Sequence, residues 1–184
     1  MKEDELIRSA AAAVAAEAML QPEQIPAIDL YMDQVITVLE QGIGRSGREA
    51  DERPMTKAMI NNYTKGGVIR PVKGKKYSKE QIIQLLLVYY LKGTLSLQDI
   101  KGLISGLSAC GGEKAAQRAY LALLRCRSAA AELAPQAAVE IAAKAGGGPD
   151  ARTCAIFACA ATAELMRRTA QALIDGAEAE RREK

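Results

Sequence analysis

The amino-acid sequence predicts a mainly α-helical protein with one small β element, and three features lead to this prediction. The apolar share is 49%, and much of it is alanine, the residue with the highest helix propensity. Most long segments place their larger apolar residues three and four positions apart, the spacing of an amphipathic helix. Only residues 68–77 combine β-prone residues with a glycine-bearing turn, which indicates a short hairpin.

Residues 56–79 carry the most specific pattern of the chain. Thr56 is suited to cap a helix that we expect over residues 56–65, and two glycines then break that helix. Two short β-prone arms around the turn at residues 73–76 come next, and Ser78 opens a further helix with a capping-box signature. A short helix, a glycine break, a basic hairpin and another helix together have the layout of a winged helix-turn-helix domain.

Positive charge is concentrated in the same stretch. The net charge of the whole chain is +3, whereas residues 53–79 contain eight basic residues and no acidic one, so the remainder sums to −5. A local positive field is what binding to a polyanion requires, because Lys and Arg near phosphates release condensed counterions. A solvated basic loop is the plainer explanation of a charge run. We favour polyanion binding because the charges coincide with the predicted hairpin.

The composition removes several functional classes. The chain has no histidine, which excludes Ser-His-Asp and Cys-His catalysis and histidine metal ligation. Its four cysteines have neither C-x-x-C nor zinc-ribbon spacing, and no paired carboxylates or phosphate-binding glycine motif mark an active site. We therefore expect no enzyme activity, no metal and no cofactor.

The expected location is the cytoplasm, without attachment to a membrane. Three of the first five residues are acidic, which does not fit an export signal. The longest late uncharged segment, residues 153–163, is shorter than the roughly 20 residues that a membrane-spanning helix needs.

The chain divides into three predicted parts. Residues 1–26 form a helical arm, residues 27–110 form the winged domain, and residues 111–184 form an alanine-rich antiparallel helical hairpin. Within the winged domain, the helix over residues 78–92 is apolar nearly all round, so we expect it to be the centre of the core. Pro135 is expected to kink or divide the first helix of the hairpin.

The hairpin should bring the large apolar residues of its two helices face to face. The residues expected to meet are Tyr120, Leu121, Leu123, Leu124, Leu133, Val139 and Ile141 of the first helix and Ile156, Phe157, Leu165, Met166, Leu173 and Ile174 of the second. Two alanine-rich helices bury only a modest area, so we expect the hairpin to pack on the rest of the chain or on a second copy.

Two strings, MTKAMINNYTKGGVIRPVKGKKYSKEQI and the later TLSLQDI, support a family resemblance. The first places Ile60, Tyr63 and Pro71 ahead of a basic turn that closes at Tyr77. On these residues, the stretch 56–104 resembles the N-terminal DNA-binding region of the MerR family of bacterial regulators. It is still more similar to a bacterial family of unknown function whose members carry a MerR-like domain.

The resemblance implies a recognition helix over residues 56–65 and a basic wing over residues 68–77 that touches the DNA backbone or minor groove. It also implies a phosphate-facing role for Tyr63. The implied partners are double-stranded DNA and a second copy of the chain, and no effector is indicated. The predicted DNA-contacting residues are Lys57, Asn61, Asn62, Tyr63, Lys65, Arg70, Lys73, Lys75 and Lys76.

A second hypothesis is a protein-interaction module that keeps the winged fold without specific DNA binding. Asn61 stands where the resembled family usually has arginine, and Val72 follows the wing proline where arginine is often found. These departures favour the second hypothesis. Convergence of the basic residues on one continuous face would favour DNA binding instead.

Overall fold

A computed structural model describes the chain over residues 3–17, 19–43, 55–72, 74–111, 114–145 and 150–182. The described part is mainly helical, as predicted, with one two-stranded antiparallel sheet. The elements in chain order are α1 (Glu3–Ala15), a 3-10 helix (Pro22–Gln24), β1 (Leu30–Tyr31), α2 (Met32–Gly42), α3 (Lys57–Lys65), β2 (Lys76–Tyr77), α4 (Lys79–Leu91), α5 (Leu97–Gly111), α6 (Ala115–Lys144) and α7 (Ala151–Arg182).

The chain folds as two compact units. The central unit comprises Ala18–Leu124, and the helical unit comprises Met1–Glu17 together with Arg125–Lys184. α6 begins in the central unit and ends in the helical unit. The N-terminal helix α1 therefore belongs with the C-terminal helices, and it packs on α7.

The core of the central unit is built around α4. Every residue from Gln81 to Val88 is buried, because the helix is apolar nearly all round and must be covered on all sides. Its start is fixed by a capping box, in which the Ser78 hydroxyl accepts from the Gln81 N–H and the Gln81 side chain accepts from the Ser78 N–H at 2.8 Å. Ile60 of α3 and Ile100 of α5 are fully buried in the same unit. The prediction that this helix is the centre of the core is confirmed.

The two-stranded sheet is not the predicted hairpin. β2 pairs with β1, so that Leu30 lies opposite Tyr77 and Tyr31 lies opposite Lys76. Among the described residues, 68–72 form no strand, so the prediction that they pair with residues 76–77 as a wing is wrong. The turn itself has the expected backbone, since Gly74 and Lys75 have φ values of 59° and 64°, typical of the central residues of a tight hairpin turn.

Side-chain amides of α4 explain why residues 70–71 do not form a strand. The Arg70 N–H donates to Gln84 Oε1 at 3.0 Å, and Gln81 Nε2 donates to the carbonyl oxygens of Arg70 at 3.2 Å and Pro71 at 2.8 Å. These bonds satisfy the backbone groups that a strand partner would otherwise take. Pro71 also has no N–H to offer a ladder.

The helical unit has a core of small residues. Ile7 of α1 is buried together with Ala138 and Ala142 of α6 and Ala155 and Ala158 of α7. α6 continues through Pro135, so the helix is not divided there. Alanines occupy the contacts because small side chains let helix axes approach closely.

The predicted contact between the large apolar residues of α6 and α7 is wrong for those that the structure leaves exposed, whereas Val139 packs on the alanine core and Ile174 is buried. Leu133 on α6 is 64% exposed, and Phe157 and Leu165 on α7 are 65% and 63% exposed. Ile141 and Ile156 are exposed as well. Since alanines fill the helix contacts, these larger side chains point to the surface of the unit.

Candidate nucleic-acid interface

α3 presents one face to the core and the other to solvent. It begins after Thr56, whose Oγ1 accepts from the Met59 N–H at 3.2 Å. Ile60 and Tyr63, three positions apart, are buried. Most of the other side chains of α3 are exposed, as the helical spacing requires. They include four of the predicted contact residues, Lys57, Asn61, Asn62 and Lys65.

The structure places Tyr63 in the core and not on this surface. Its side chain is 6% exposed, and burial raises the pKa of its phenolic hydroxyl. The Tyr63 carbonyl also accepts from the Val68 N–H at 2.9 Å, a hydrogen bond that closes the turn immediately after α3. Tyr63 therefore acts as a packing residue that anchors the end of α3.

Lys57 lies in an acidic neighbourhood. Its Nζ is 2.5 Å from Asp33 Oδ1, and both side chains are more than 60% exposed. Asp33 and Glu40 of α2 line the same cleft as Lys57. An exposed ion pair contributes only about 0–1 kcal/mol, but two nearby carboxylates oppose the approach of a phosphate.

A lysine that the sequence did not point to lies at the C-terminal end of α3. Lys101 of α5 donates from Nζ to the Gly66 carbonyl at 2.8 Å. Gly67 follows with a φ of 65°, and a Cβ atom there would lie 3.4 Å from the same Nζ. A lysine at this point satisfies a free carbonyl and complements the negative end of the helix dipole. No local pattern signals the contact, because Lys101 is 35 residues away in sequence.

Arg70 and Lys76 are brought together at one small cleft. The cleft has a volume of about 190 Å³, and the acids Asp29 and Glu80 also line it. The Lys76 Nζ lies 5.0 Å from the centre of the Tyr31 ring, a cation–π contact created by the pairing of β1 with β2. Both basic side chains remain exposed, so the strand pairing orients Lys76 without burying its charge.

Two buried glutamines hold the backbone from which Arg70 projects. Gln81 is 7% exposed and Gln84 is 1% exposed, and they are the two buried polar side chains in the described part of the chain. The basic segment, residues 70–76, begins at this point. The hydrogen bonds of the two glutamines to residues 70–71 hold its first residues against the core. The sequence did contain a signal for this role, because two glutamines interrupt an otherwise apolar helix.

The remaining predicted residues separate into two groups. Asn61, Asn62 and Lys65 lie on the exposed face of α3, and Lys75 is exposed at the turn. Lys73 lies outside the described residues. In the structure, Arg70 and Lys76 therefore line the same cleft, and Lys57 lies beside the acids of α2. Tyr63 is buried and does not belong to the surface.

Comparison with known proteins gives one match. The model of the family described as a domain of unknown function (DUF1836) matches residues 20–122, more than half of the chain. This span nearly coincides with the central unit and contains all the predicted contact residues. No curated protein and no solved structure matches the chain. Over the described residues, no helix has the length and apolar character needed to cross a membrane.

Proposed function

The chain belongs to the DUF1836 family, and we propose that its central unit binds double-stranded DNA in the manner of a transcriptional regulator. The observation behind this proposal is the distribution of charge. Every charged residue from position 55 to position 79 is basic, and Lys65, Arg70, Lys75 and Lys76 are exposed. Basic side chains grouped in this way release counterions when they meet a duplex.

The exposed side chains divide into two chemical roles. Asn61 and Asn62 on α3 offer amide groups, which are able to pair with adenine edges in the major groove. Arg70, Lys75 and Lys76 offer positive charge for backbone phosphates, which position a protein without specifying sequence. The proposal keeps the MerR-like arrangement of a recognition helix followed by a basic segment. That segment is held by β1 and two glutamines in place of a hairpin.

We also propose that the helical unit forms a homodimer. Phe157, Leu165 and Leu173, at intervals of eight residues along α7, are each more than 60% exposed and offer apolar surface that a second copy of the helix could cover. A two-fold dimer would present two copies of α3 and would match a palindromic DNA site.

A protein-interaction module without DNA binding or catalysis is the second candidate. Asp29 and Glu80 line the cleft of Arg70 and Lys76, and Ile28 and Tyr31 are exposed close by in sequence. Protein interfaces are enriched in arginine and aromatic residues, such as Arg70 and Tyr31 here, and the two acids would oppose the approach of a phosphate.

The experiment is fluorescence anisotropy of a labelled random duplex across a salt series. Engagement of about four phosphates predicts a slope of log affinity against log salt of about −3 to −4. The double variant Lys75→Ala with Lys76→Ala should weaken binding and reduce the slope by about 2.

The matched control removes two positive charges from the helical unit instead. It combines Lys144→Ala with Arg168→Ala, and both of these residues are exposed. We expect the control to keep the slope of the natural chain. Absence of binding at low salt would remove the DNA proposal. An equal loss in the control would mean that net charge alone drives binding.

A further inference from the structure

The helical unit contains an apolar groove with a volume of about 790 Å³, formed by α1, α6 and α7. This volume lies within the range of about 300–1,000 Å³ that is usual for small-molecule sites. Alanines from all three helices line most of its wall, and Leu6, Val14, Ile156 and Met166 supply larger apolar surface. Only four polar or thiol side chains line it, namely Arg127, Arg152, Cys159 and Thr162.

We propose that this groove binds a long-chain carboxylate of the free fatty acid class, with its carboxylate at Arg152. The acyl chain would occupy the space between the alanine walls, which no side chain of the described unit occupies. The inference concerns the helical unit alone and does not rest on DNA binding by the central unit.

The two arginines of the groove differ in their partners. Arg127 donates to the Val14 carbonyl at 3.3 Å and pairs with Glu17 at 3.5 Å, so its guanidinium is already engaged near the end of α1. Arg152, in the first turn of α7, is exposed and forms no salt bridge among the described residues. Its nearest acid in sequence is Asp150, whose carboxyl pKa is lowered mainly by hydrogen bonds from Thr153 and to a smaller extent by the charge of Arg152. The Arg152 guanidinium is therefore able to make a charge-assisted, bidentate contact to a carboxylate.

The dimensions of the groove favour a slender occupant. Its lining on α7 runs from Arg152 to Met166, which corresponds to about 21 Å along a helix axis. An extended acyl chain lying along this open groove would follow that length with its apolar side against the alanine walls.

Two exposed cysteines supply a test with an internal reference. Cys159 lines the groove, whereas Cys126 is exposed and does not line it. The alkylation rates of both thiols are measured in the full chain by mass spectrometry of peptides, with and without palmitate below its micelle concentration. We expect palmitate to slow the alkylation of Cys159 at least tenfold and to leave Cys126 unchanged.

A ligand series separates the acyl chain from the head group. Affinity should rise with chain length from octanoate to palmitate, by up to about fourfold for each buried methylene. The methyl ester of palmitate, which has no negative charge, should bind at least tenfold more weakly than the acid. Equal binding of ester and acid would overturn the role of the carboxylate.

Two matched variants test the position of the carboxylate. Arg152→Gln should weaken palmitate binding roughly tenfold or more. Arg168→Gln, which removes another exposed charge that does not line the groove, should leave palmitate binding unchanged. Both substitutions are at exposed sites, so the fold should be kept, which circular dichroism checks. An equal effect of the two variants would contradict the assignment.

Two further results would overturn the proposal. If Cys159 becomes protected as protein concentration rises without ligand, a second copy of the chain covers the groove. If palmitate protects Cys126 as much as Cys159, the fatty acid acts as a detergent on the whole unit.

Discussion

The central and helical units are both built from helices, but they bury different kinds of side chain. Leu39, Ile60, Leu86 and Tyr120 are fully buried in the central unit. The helical unit buries mostly alanines, with Ile7 and Ile174 as its large buried residues among those described. Since hydrophobic stabilisation scales with apolar area, the central unit stabilises itself, whereas the helical unit leaves apolar surface for a partner or ligand.

The comparison predicts the largest loss of stability for a substitution in α4, the helix at the centre of the central unit's core. Leu86→Ala should lower the free energy of unfolding by about 2–5 kcal/mol, because it removes a fully buried side chain and leaves a closed cavity. Ile7→Ala in the helical unit should cost about half as much, because Ile7 borders the open groove and no closed cavity forms. Denaturant unfolding of the two variants measures the difference. Equal losses would contradict the contrast between the units.

A smaller effect is expected where the central unit holds its basic segment. Gln84→Ala removes the acceptor of the Arg70 N–H and should lower the free energy of unfolding by about 1–3 kcal/mol. It should also weaken DNA binding beyond what the stability loss explains, because Arg70 loses its fixed position. Gln98→Ala, an exposed glutamine in α5, serves as control and should stay within about 0.5 kcal/mol. If both variants behave alike, the buried amide has no positioning role.

The exposed residues of α7 should affect association more than stability. Phe157→Ser with Leu165→Ser should change the free energy of unfolding of the monomer by less than about 0.5 kcal/mol per site, since both side chains are exposed. The same change should shift the chain from dimer to monomer in sedimentation equilibrium. A natural chain that is monomeric at all concentrations would refute the proposed dimer.

The smallest predicted effect is a fall in the free energy of unfolding at alkaline pH, caused by Tyr63. Burial raises the pKa of Tyr63 above its ordinary value of 10.0, so folding holds this proton more tightly than the unfolded chain does. The stability from this group is complete below pH 10.0 and is lost as pH rises through the folded-state pKa. Tyr63→Phe should therefore reduce the alkaline loss of stability, as followed by unfolding at pH 9 to 11. An unchanged alkaline profile would argue against a buried hydroxyl.

Local signals in the sequence predicted the helices well. Thr56 and Ser78 cap helices that begin one residue later, and the glycine after Lys65 ends α3 as expected. Each of these boundaries is set by residues within one helical turn.

Long-range pairing set the features that could not be predicted. The partner of Lys76 is Tyr31, and no pattern within residues 68–77 distinguishes this partner from a nearby arm. The surface also depends on contacts across the chain. Asp33 meets Lys57 from another helix, and two glutamines of α4 take the backbone groups around Arg70. The sequence identified the basic stretch, but only the fold shows the acids near each cation: Asp33 pairs with Lys57, and Asp29 and Glu80 line the cleft of Arg70 and Lys76.

The most direct test compares Arg70→Gln with Lys57→Gln in the salt dependence of duplex binding. Both variants remove one basic charge from the same stretch, but Arg70 is exposed and forms no salt bridge among the described residues, whereas Lys57 is paired with Asp33. We predict that Arg70→Gln reduces the slope of log affinity against log salt by about 1 and that Lys57→Gln leaves it unchanged. Equal slopes for the two variants, or a larger effect of Lys57→Gln, would contradict this account of the surface.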